Sequence, residues 1–436
     1  MTEIINILCV DDEIHLLEAY RDILEPKKIR SSRARKATKG RKDLRENCKI
    51  FTAPSGEEAV SITKNLLNEG KRISVGFFDM RMPGMDGLET IRALLELDPD
   101  IQSVVVTADT DRNPDEIVSL FHDPSQFVYL NKPFNAPEIS QLALSLGSLW
   151  VEKRRSIKML DSIVQASVQA IESRDPTTSG HSERVAKMTV KLAEAVDHKS
   201  DGAFADQKFD RYALETIRYA SLLHDFGKIG VREHVLVKAN KLYPGGLEKI
   251  QLKFDLEEAK GGLPTQKKQL WWQEIVEANR PTILPSAIQF DLDEIHTVGL
   301  ITDDEYKYLT IPRGSLTLEE RNEIESHVTV TYKFLKTIAW TKDFERVPEI
   351  AKAHHEKMDG SGYPEGITDI PIEARMMTIA DIFDALTASD RPYKRAVPIE
   401  RALDILQYEV EQKKIDSDLF KIFVEARAFD GVLKKE

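Results

Sequence analysis

Two adjacent histidines, His354 and His355, begin a run that ends in a Gly-rich aromatic turn, HHEKMDGSGYP. A buried neutral histidine needs a partner for each ring nitrogen, and two neighbouring rings double that requirement. Metal coordination meets the requirement, because one nitrogen of each ring binds the ion while the other bonds to a carboxylate or a carbonyl. The run therefore predicts a metal centre in the C-terminal half of the chain.

Further residues of the types that bind metals lie on both sides of this run. They are His181, His224, Asp225, His327 and Asp381. Any one of them alone is compatible with an ordinary core or surface position, but together with the histidine pair they indicate a shared site. An imidazole-rich set with carboxylates and without thiolates suits Fe or Mn, and less decisively Zn or Ni.

The motifs between about residues 166 and 397 resemble the HD-GYP family of metal-dependent phosphohydrolases, which hydrolyse cyclic dinucleotides. The matching boxes are DxxTxxHxxRV from Asp175, HDxGK from His224, the complete HHExxDGxGYP, and ARxxxxADxxDAL followed by RPY. The resemblance implies an all-α HD-type helical bundle. Amphipathic segments around the boxes favour the same fold, with ligands that project inward from several helices.

The resemblance also implies how the ligands are shared between two ions. The first ion would be bound by His181, His224, Asp225 and Asp381. The second would be bound by Asp225, His327, His354 and His355. Iron is common in the family, so two Fe (or Mn) ions are expected. A third ion is not expected, because Thr177 stands where some relatives carry a glutamate.

Further roles in this domain follow from the same resemblance. Lys228 and Asp225 are expected to be catalytic, with Lys228 meeting the charge that develops on the phosphate. Substrate contacts are expected from Gly362, Tyr363, Pro364, Arg391 and Lys394. The plainer alternative for the three cationic side chains is ordinary surface charge.

The N-terminal part shows a different pattern, in which short apolar runs alternate with amphipathic helical segments. The residues that follow or end these runs are Asp11, Asp12, Asp79, Thr107 and Lys132. Such alternation predicts an α/β doubly wound parallel sheet, where residues just past the strand ends converge on one site. Clustered carboxylates suit Mg²⁺. The alternative treats the three aspartates as ordinary caps of strand ends.

This region, roughly residues 3–140, resembles the response-regulator receiver family. The resemblance implies that Asp79 is the phosphoacceptor and that a sensor histidine kinase is a partner. Magnesium would be bound by Asp11, Asp12, Asp79 and the backbone carbonyl of Arg81. The residues that respond to phosphorylation would be Thr107, Tyr129 and Lys132.

A chain of 436 residues is expected to form more than one domain. The expected divisions are a receiver domain at 1–142, a linker or signalling helix at 143–174 and an HD-GYP domain at 175–436. A basic insertion at 27–49 is either a contact for an anionic partner or a solvated extension. A second insertion, at about 241–315, is a lid, a homodimer surface or a partner site, and it contains His296, a rival to His327 as a ligand.

Net charge, apolar runs and cysteine content indicate which partners and which cellular compartment to expect. The formal net charge of −12 argues against general nucleic-acid binding. No apolar run approaches the roughly 18 residues of a membrane span. Cys9 and Cys48 are the only cysteines, which favours a reducing cytoplasm over a disulfide framework.

These observations lead to one expected function and two alternatives. The expected function is a response regulator whose output domain hydrolyses cyclic di-GMP to pGpG, and onward to GMP in a further step, under control of Asp79 phosphorylation. One alternative substrate is cyclic GMP-AMP. The other alternative is a non-hydrolytic sensor or scaffold that binds cyclic di-GMP.

Overall fold

The computed structural model describes residues 4–25, 47–108, 117–121, 124–174, 180–388 and 396–432. The chain divides into two compact units, Met1–Asp161 and Ser162–Glu436. Most of the predicted basic insertion lies outside the described residues, as do Asp175, Thr177, Arg391 and Lys394. The second strand begins at Cys48, so the end of that predicted insertion belongs to the sheet.

The first unit is built on a parallel sheet of five strands. The strands are β1 Ile5–Val10, β2 Cys48–Ala53, β3 Val75–Asp79, β4 Gln102–Thr107 and β5 Phe127–Asn131. Their order is β2-β1-β3-β4-β5. Helices α1 (Ile14–Leu24), α2 (Gly56–Asn68) and α3 (Gly87–Leu97) alternate with the first four strands. The doubly wound parallel sheet predicted from the sequence is thereby confirmed.

Alternate residues of the central strands enter two separate cores, one on each face of the sheet. Leu8, Phe78 and Val105 belong to one core. Ile7 and Phe77 belong to the other. Because both faces are buried, these strands are mostly apolar. All strand pairs are parallel, so every strand delivers its last residues to the same edge.

Helix α4 runs from Ala136 to Arg174 without interruption. Ile139, Ala143 and Leu146 of its first part pack into the core of the first unit. The predicted linker helix at 143–174 is thus the continuation of a helix that starts seven residues earlier, because no proline interrupts the pattern.

The second unit is helical in its described residues. Its longer helices near the predicted motifs are α5 His181–Asp197, α6 Arg211–Leu223, α12 Leu318–Glu325, α13 His327–Leu335, α14 Val347–Lys352 and α15 Ile372–Thr387. The last two helices are α16 Ile399–Glu411 and α17 Ser417–Glu425. The predicted all-α architecture is confirmed.

The second predicted insertion is a packed helical segment of its own. It follows a short helix, α7 (Glu233–Leu236), and contains α8 Gly246–Ala259, α9 Thr265–Ala278, α10 Ser286–Thr297 and α11 Asp303–Leu309. These helices share a core that includes Phe254, Trp271, Ile275 and Leu292. We call this segment the four-helix insert.

The four-helix insert is anchored at its two ends. Lys238, just before it, forms a buried ion pair with Glu320, just after it, at 2.8 Å. Tyr243 and Tyr308 of the insert lie over the Lys238 ammonium, with ring centroids 4.4 and 4.3 Å away. The Ser315 hydroxyl donates a hydrogen bond to the Lys238 carbonyl at 2.9 Å.

Within the described part of the chain, we found no helix that is both long and apolar enough to cross a membrane.

Candidate metal centre and phosphoacceptor site

Helices that are distant in sequence bring the seven predicted metal ligands together in the second unit. Potential ligand atoms lie within 4.8 Å of one another in three overlapping groups, which are His181/His224/Asp381, His224/Asp225/His354 and His327/His354/His355. His181 and His327 begin α5 and α13, His224 follows α6, and Asp381 lies within α15. His354 and His355 follow α14. The sites of the two expected ions are therefore adjacent.

Three of the histidines have their ring orientation fixed by the main chain. The Nδ1 atoms of His224, His327 and His354 lie 2.6–2.7 Å from the carbonyls of Ser221, Ile324 and Ala351, respectively. A carbonyl can only accept, so each Nδ1 carries a proton, which makes Nε2 the atom available to bind a metal. The three Nε2 atoms are buried and have no hydrogen-bond partner among the residues that the structure describes. Such atoms fit a metal ion, which would supply the missing partner.

Asp225 faces both sides of the cluster. Its Oδ1 lies 3.3 Å from His327 Nε2, and its Oδ2 lies 3.4 Å from His224 Nε2. The Lys228 ammonium donates a hydrogen bond to Asp225 Oδ2 at 2.6 Å. One carboxylate can therefore serve two ions, with a cation beside it.

His181 is held between two carboxylates of α15. Its Nε2 lies 3.3 Å from Asp381 Oδ1, and its Nδ1 lies 2.7 Å from Asp384 Oδ2. Arg184, one turn along α5, donates to Asp384 through Nε at 2.6 Å. The sequence analysis assigned no role to Asp384, although it lies three residues after Asp381, on the same face of a helix.

Two threonines connect the elements that carry ligands, and neither was singled out from the sequence. Thr331 donates to the His224 carbonyl at 3.0 Å and accepts from the Gly227 amide at 2.8 Å. A Cβ at Gly227 would lie 1.9 Å from the His327 carbonyl oxygen, so only glycine permits this contact. Thr378 donates to the His354 carbonyl at 2.7 Å. Neither threonine could have been recognised without knowing which helices are neighbours.

In the first unit, three aspartates meet at the carboxyl edge of the sheet. Ligand atoms of Asp11, Asp12 and Asp79 lie within 4.8 Å of one another. Lys132, which follows β5, places its ammonium 2.9 Å from Asp11 Oδ2 and 3.1 Å from Asp79 Oδ1. The sheet thus gathers the acidic and basic residues that were predicted to meet.

Comparisons with known proteins agree with the geometry of the acidic site in the first unit and with that of the histidine-rich site in the second. A family model described as a response regulator receiver domain matches residues 41–143, and one described as an HD domain matches residues 276–419. The chain therefore contains one region that matches a receiver domain and, after it, one that matches an HD domain. The HD match begins within the four-helix insert, so His181, His224 and Asp225 precede it.

Three curated relatives match this chain over different lengths. The chain is 28% identical over 287 residues to a 3′3′-cGAMP-specific phosphodiesterase of Vibrio cholerae, covering 65% of this chain and 43% of that protein. It is 25% identical to a cyclic di-GMP phosphodiesterase response regulator of Xanthomonas campestris, covering 92% and 82%. It is 22% identical to a cyclic di-GMP phosphodiesterase of Thermotoga maritima, covering 81% and 77%. This chain thus spans less than half of the Vibrio protein but most of the other two.

Burial and neighbouring charges separate the protonation behaviour of the histidines in the HD domain. Burial lowers the pKa of His355 to about 3, and burial together with neighbouring histidines lowers that of His354 well below its usual value. Burial also opposes protonation of His181, but hydrogen bonds to Asp381 and Asp384 raise its pKa to about 9. Burial alone would raise the pKa of Asp225, but the neighbouring charge of Lys228 helps to hold that pKa well below its usual value.

The Gly-rich turn of the HD domain lies against the metal cluster through its tyrosine. The ring of Tyr363 lies 4.7 Å from that of His355, centroid to centroid. A Cβ at Gly362 would lie 2.4 Å from the Lys357 amide nitrogen, so this glycine permits close packing of the chain on itself. Buried Glu356 accepts from the amides of Glu365 and Ile367 at 2.8 and 3.1 Å. Pro364 belongs to this turn, whose conformation is held by the hydrogen bonds of Glu356 and by the close packing at Gly362.

Other predicted residues of the HD domain lie outside the cluster. His296, the rival ligand, pairs with Asp303 at 2.8 Å and stacks on Tyr306 in the four-helix insert. It belongs to none of the ligand groups found among the described residues. Arg391 and Lys394 lie outside the described part of the chain, so their substrate contacts stay predictions.

The predicted switch residues of the receiver domain lie at the ends of its last two strands. Thr107 ends β4, and its carbonyl accepts from the Lys132 amide at 2.8 Å. Tyr129 of β5 is 44% exposed and meets Phe127 edge-on. Arg81 lies two residues after Asp79 and is exposed. Their roles in phosphorylation stay predictions.

Burial also affects the acidic site of the receiver domain. Desolvation raises the pKa of Asp79, and the ammonium of Lys132 opposes that rise. Burial opposes the charge of Lys132, but its hydrogen bonds to Asp11 and Asp79 raise the pKa of this lysine above its usual value. The site therefore keeps Lys132 charged beside the carboxylate expected to be phosphorylated.

Proposed function

We propose that the HD domain is a dinuclear-metal phosphodiesterase that hydrolyses cyclic di-GMP to pGpG, and that the receiver domain controls it through phosphorylation of Asp79. The observation that carries the proposal is that the buried Nε2 atoms of His224, His327 and His354 have no hydrogen-bond partner among the described residues. Those of His224 and His327 lie 3.4 and 3.3 Å from the two oxygens of Asp225. The names of the Xanthomonas and Thermotoga relatives supply the substrate.

The donor set fits two Fe or Mn ions. His181, His224, Asp225 and Asp381 would hold one ion, and Asp225, His327, His354 and His355 would hold the other. All donors are imidazoles or carboxylates, and both cysteines lie in strands of the receiver domain. Such a pair of ions activates water and neutralises the charge of phosphate oxygens.

The protein's own residues then orient and stabilise the reacting groups. Water adds to phosphorus, the bond between phosphorus and the 3′-oxygen breaks, and a proton passes to that oxygen. Lys228, whose side chain is 19% exposed beside Asp225, would contact the phosphate as negative charge develops on it. The ring of Tyr363, tilted by 37° against that of His355, would contact a guanine base.

The receiver domain would accept a phosphoryl group from a sensor histidine kinase. The bond from phosphorus to the kinase histidine breaks while a bond to Asp79 forms. Asp11 and Asp12 would hold Mg²⁺ beside Asp79, and Lys132 would contact the phosphoryl oxygens. Thr107 and Tyr129 would change conformation when Asp79 is phosphorylated and would thereby alter the surface of the domain.

Cyclic GMP-AMP is the second candidate substrate, because the Vibrio relative is named for specificity toward 3′3′-cGAMP. The two dinucleotides differ in one base, so the metal centre itself does not distinguish them. Competition between the two substrates in one reaction measures the preference directly, as a ratio of kcat/KM values.

The experiment that tests the proposal uses full-length protein loaded anaerobically with Fe²⁺ or Mn²⁺. Cyclic di-GMP is added, and pGpG and GMP are separated by chromatography. Asp225→Ala is the inactive comparison, and His296→Ala is the matched control, since this histidine lies outside the ligand groups. We expect hydrolysis in the wild type and in His296→Ala only. Binding without hydrolysis in loaded wild-type protein would refute the enzyme and leave the sensor.

A further inference from the structure

Asp384 has an unusual share of the interactions around the metal centre. Its side chain is fully buried in α15. It accepts three hydrogen bonds, from His181 Nδ1 at 2.7 Å, Arg184 Nε at 2.6 Å and Arg184 Nη2 at 3.1 Å. None of these contacts involves a predicted substrate residue. Among the described residues, the hydrogen bonds of this carboxylate thus go to His181 and Arg184.

His181 differs from the other histidines of the centre in how its ring is held. His224, His327 and His354 each donate Nδ1–H to a main-chain carbonyl three residues earlier. His181 is the first residue of α5, and its Nδ1 lies 2.7 Å from a side-chain oxygen, Asp384 Oδ2. A carboxylate from α15 takes that place.

Charge explains why the second partner of Asp384 is an arginine. A carboxylate buried without a counter-charge is costly, and a lone carboxylate beside His181 would also favour a doubly protonated ring. Arg184 balances the charge of Asp384 through two parallel donors. When an ion is bound, neutral His181 would donate from Nδ1 to Asp384 and offer to that ion its Nε2 atom, which lies 3.3 Å from Asp381 Oδ1.

We infer that Asp384 and Arg184 form a positioning pair that fixes the orientation and tautomer of His181 and thereby determines how tightly the ion of the His181/His224/Asp381 group is held. The inference rests on the dinuclear centre of the proposed function. The His327/His354/His355 group shares no residue with the pair, so its ion is expected to be affected less, and through Asp225, which faces ligands of both groups.

The test measures Mn²⁺ binding to full-length protein by calorimetry and records the electron paramagnetic resonance of the loaded samples. The variant is Asp384→Asn. The matched control is Glu373→Gln, which alters another buried carboxylate of α15 that is paired with an arginine, Arg346, at 2.6 Å. Asp384→Asn is expected to bind one Mn²⁺ as tightly as the wild type and the other roughly 10- to 100-fold more weakly. Its spectrum is expected to change from a coupled pair to a single ion at partial loading, while Glu373→Gln keeps the coupled pair.

A double variant covers the case in which Asp384→Asn does not fold. Asp384→Asn with Arg184→Gln removes both charges together, which leaves no buried charge unpaired. The same selective loss of one ion is expected. Two ions bound with wild-type affinity in a folded variant would overturn the positioning pair. Failure of the wild type to bind a second ion would instead overturn the dinuclear centre of the proposed function.

Discussion

The receiver domain and the HD domain both gather side chains that bind metals, but they hold them in different ways. In the receiver domain, Asp11 and Asp79 are buried while Asp12 is exposed, and the neighbouring Lys132 keeps its ammonium partly open to solvent. In the HD domain, His224 and His354 are fully buried, and a hydrogen bond orients each ring. The ends of the strands set the positions of the side chains in the first site. In the second site, a separate hydrogen bond sets the orientation of each of these two histidine rings.

This difference indicates two modes of metal use. A site of oxygen ligands with an exposed member can exchange a hard cation quickly as phosphorylation proceeds. A buried set of imidazoles with fixed tautomers is expected to release its ions more slowly. The acidic site would thus respond to its surroundings, while the histidine-rich site would lose its metal more slowly.

The largest expected effect separates the two sites by mutation. Asp225→Ala is expected to lower occupancy at both ion positions and to reduce turnover on the order of 1,000-fold or more, because its two oxygens face different ligand groups. Asp79→Ala is expected to abolish labelling by acetyl phosphate and to leave the metal content of the HD domain unchanged. Metal analysis, turnover and labelling measure these effects. Turnover that persists in Asp225→Ala would break the comparison.

The rate at which a chelator removes metal provides a second test of the difference between the two sites. Brief treatment with EDTA is expected to stop labelling of Asp79 at once, because the acidic site includes exposed Asp12. Metal in the HD domain is expected to leave far more slowly, because its ligands are buried. Labelling and metal content are followed in the same samples, and added Mg²⁺ restores labelling. Equal rates of loss at the two sites would contradict a difference in exchange.

A smaller expected effect is the release of protons when the HD domain binds metal. The pKa of His181 is about 9 in the metal-free protein, so its ring is protonated near neutral pH. A bound ion requires the neutral ring, so loading is expected to release about one proton per chain at neutral pH and progressively less as the pH rises through 9. Calorimetry in buffers of different ionisation enthalpy measures the release. Heats that do not depend on the buffer would show that His181 is already neutral.

The smallest effect concerns the contacts between helices in the HD domain. Thr331→Val removes one donor and one acceptor that join the His224 carbonyl to the Gly227 amide, and should cost about 1–3 kcal/mol in the free energy of unfolding. Thr189→Val is the matched control, because this buried hydroxyl bonds only to the Val185 carbonyl within its own helix. Denaturant unfolding compares the two. A Thr331→Val protein as stable as the control would show that this contact is dispensable.

The edge of the sheet and the ligand set could be predicted because both depend on local pattern. Apolar runs that end in acidic residues define the receiver site, since parallel strands must deliver their ends to one edge. The strand β2 carries no continuous apolar run, because it lies at the margin of the sheet and is only partly buried. The ligands of the HD domain followed from family motifs rather than from spacing.

Contacts between distant elements could not be predicted in the same way. Thr331 and Thr378 look like ordinary helical residues until the helices are placed side by side. Asp384 left a weak signal, since it repeats a carboxylate one turn after Asp381, just as Arg184 follows His181 by one turn. Such paired repeats on two helices indicate a second layer of contacts around the ligands.

The hydrogen bond from the Ser315 hydroxyl to the Lys238 carbonyl has a consequence for how the HD domain can change over evolution. It brings the points where the chain leaves and rejoins the catalytic helices within 2.9 Å of each other. A segment whose ends meet so closely, and which has its own core, can be gained or lost in one genetic event. Shortening the chain to a tight turn between these two residues should therefore yield a smaller enzyme whose metal centre is intact.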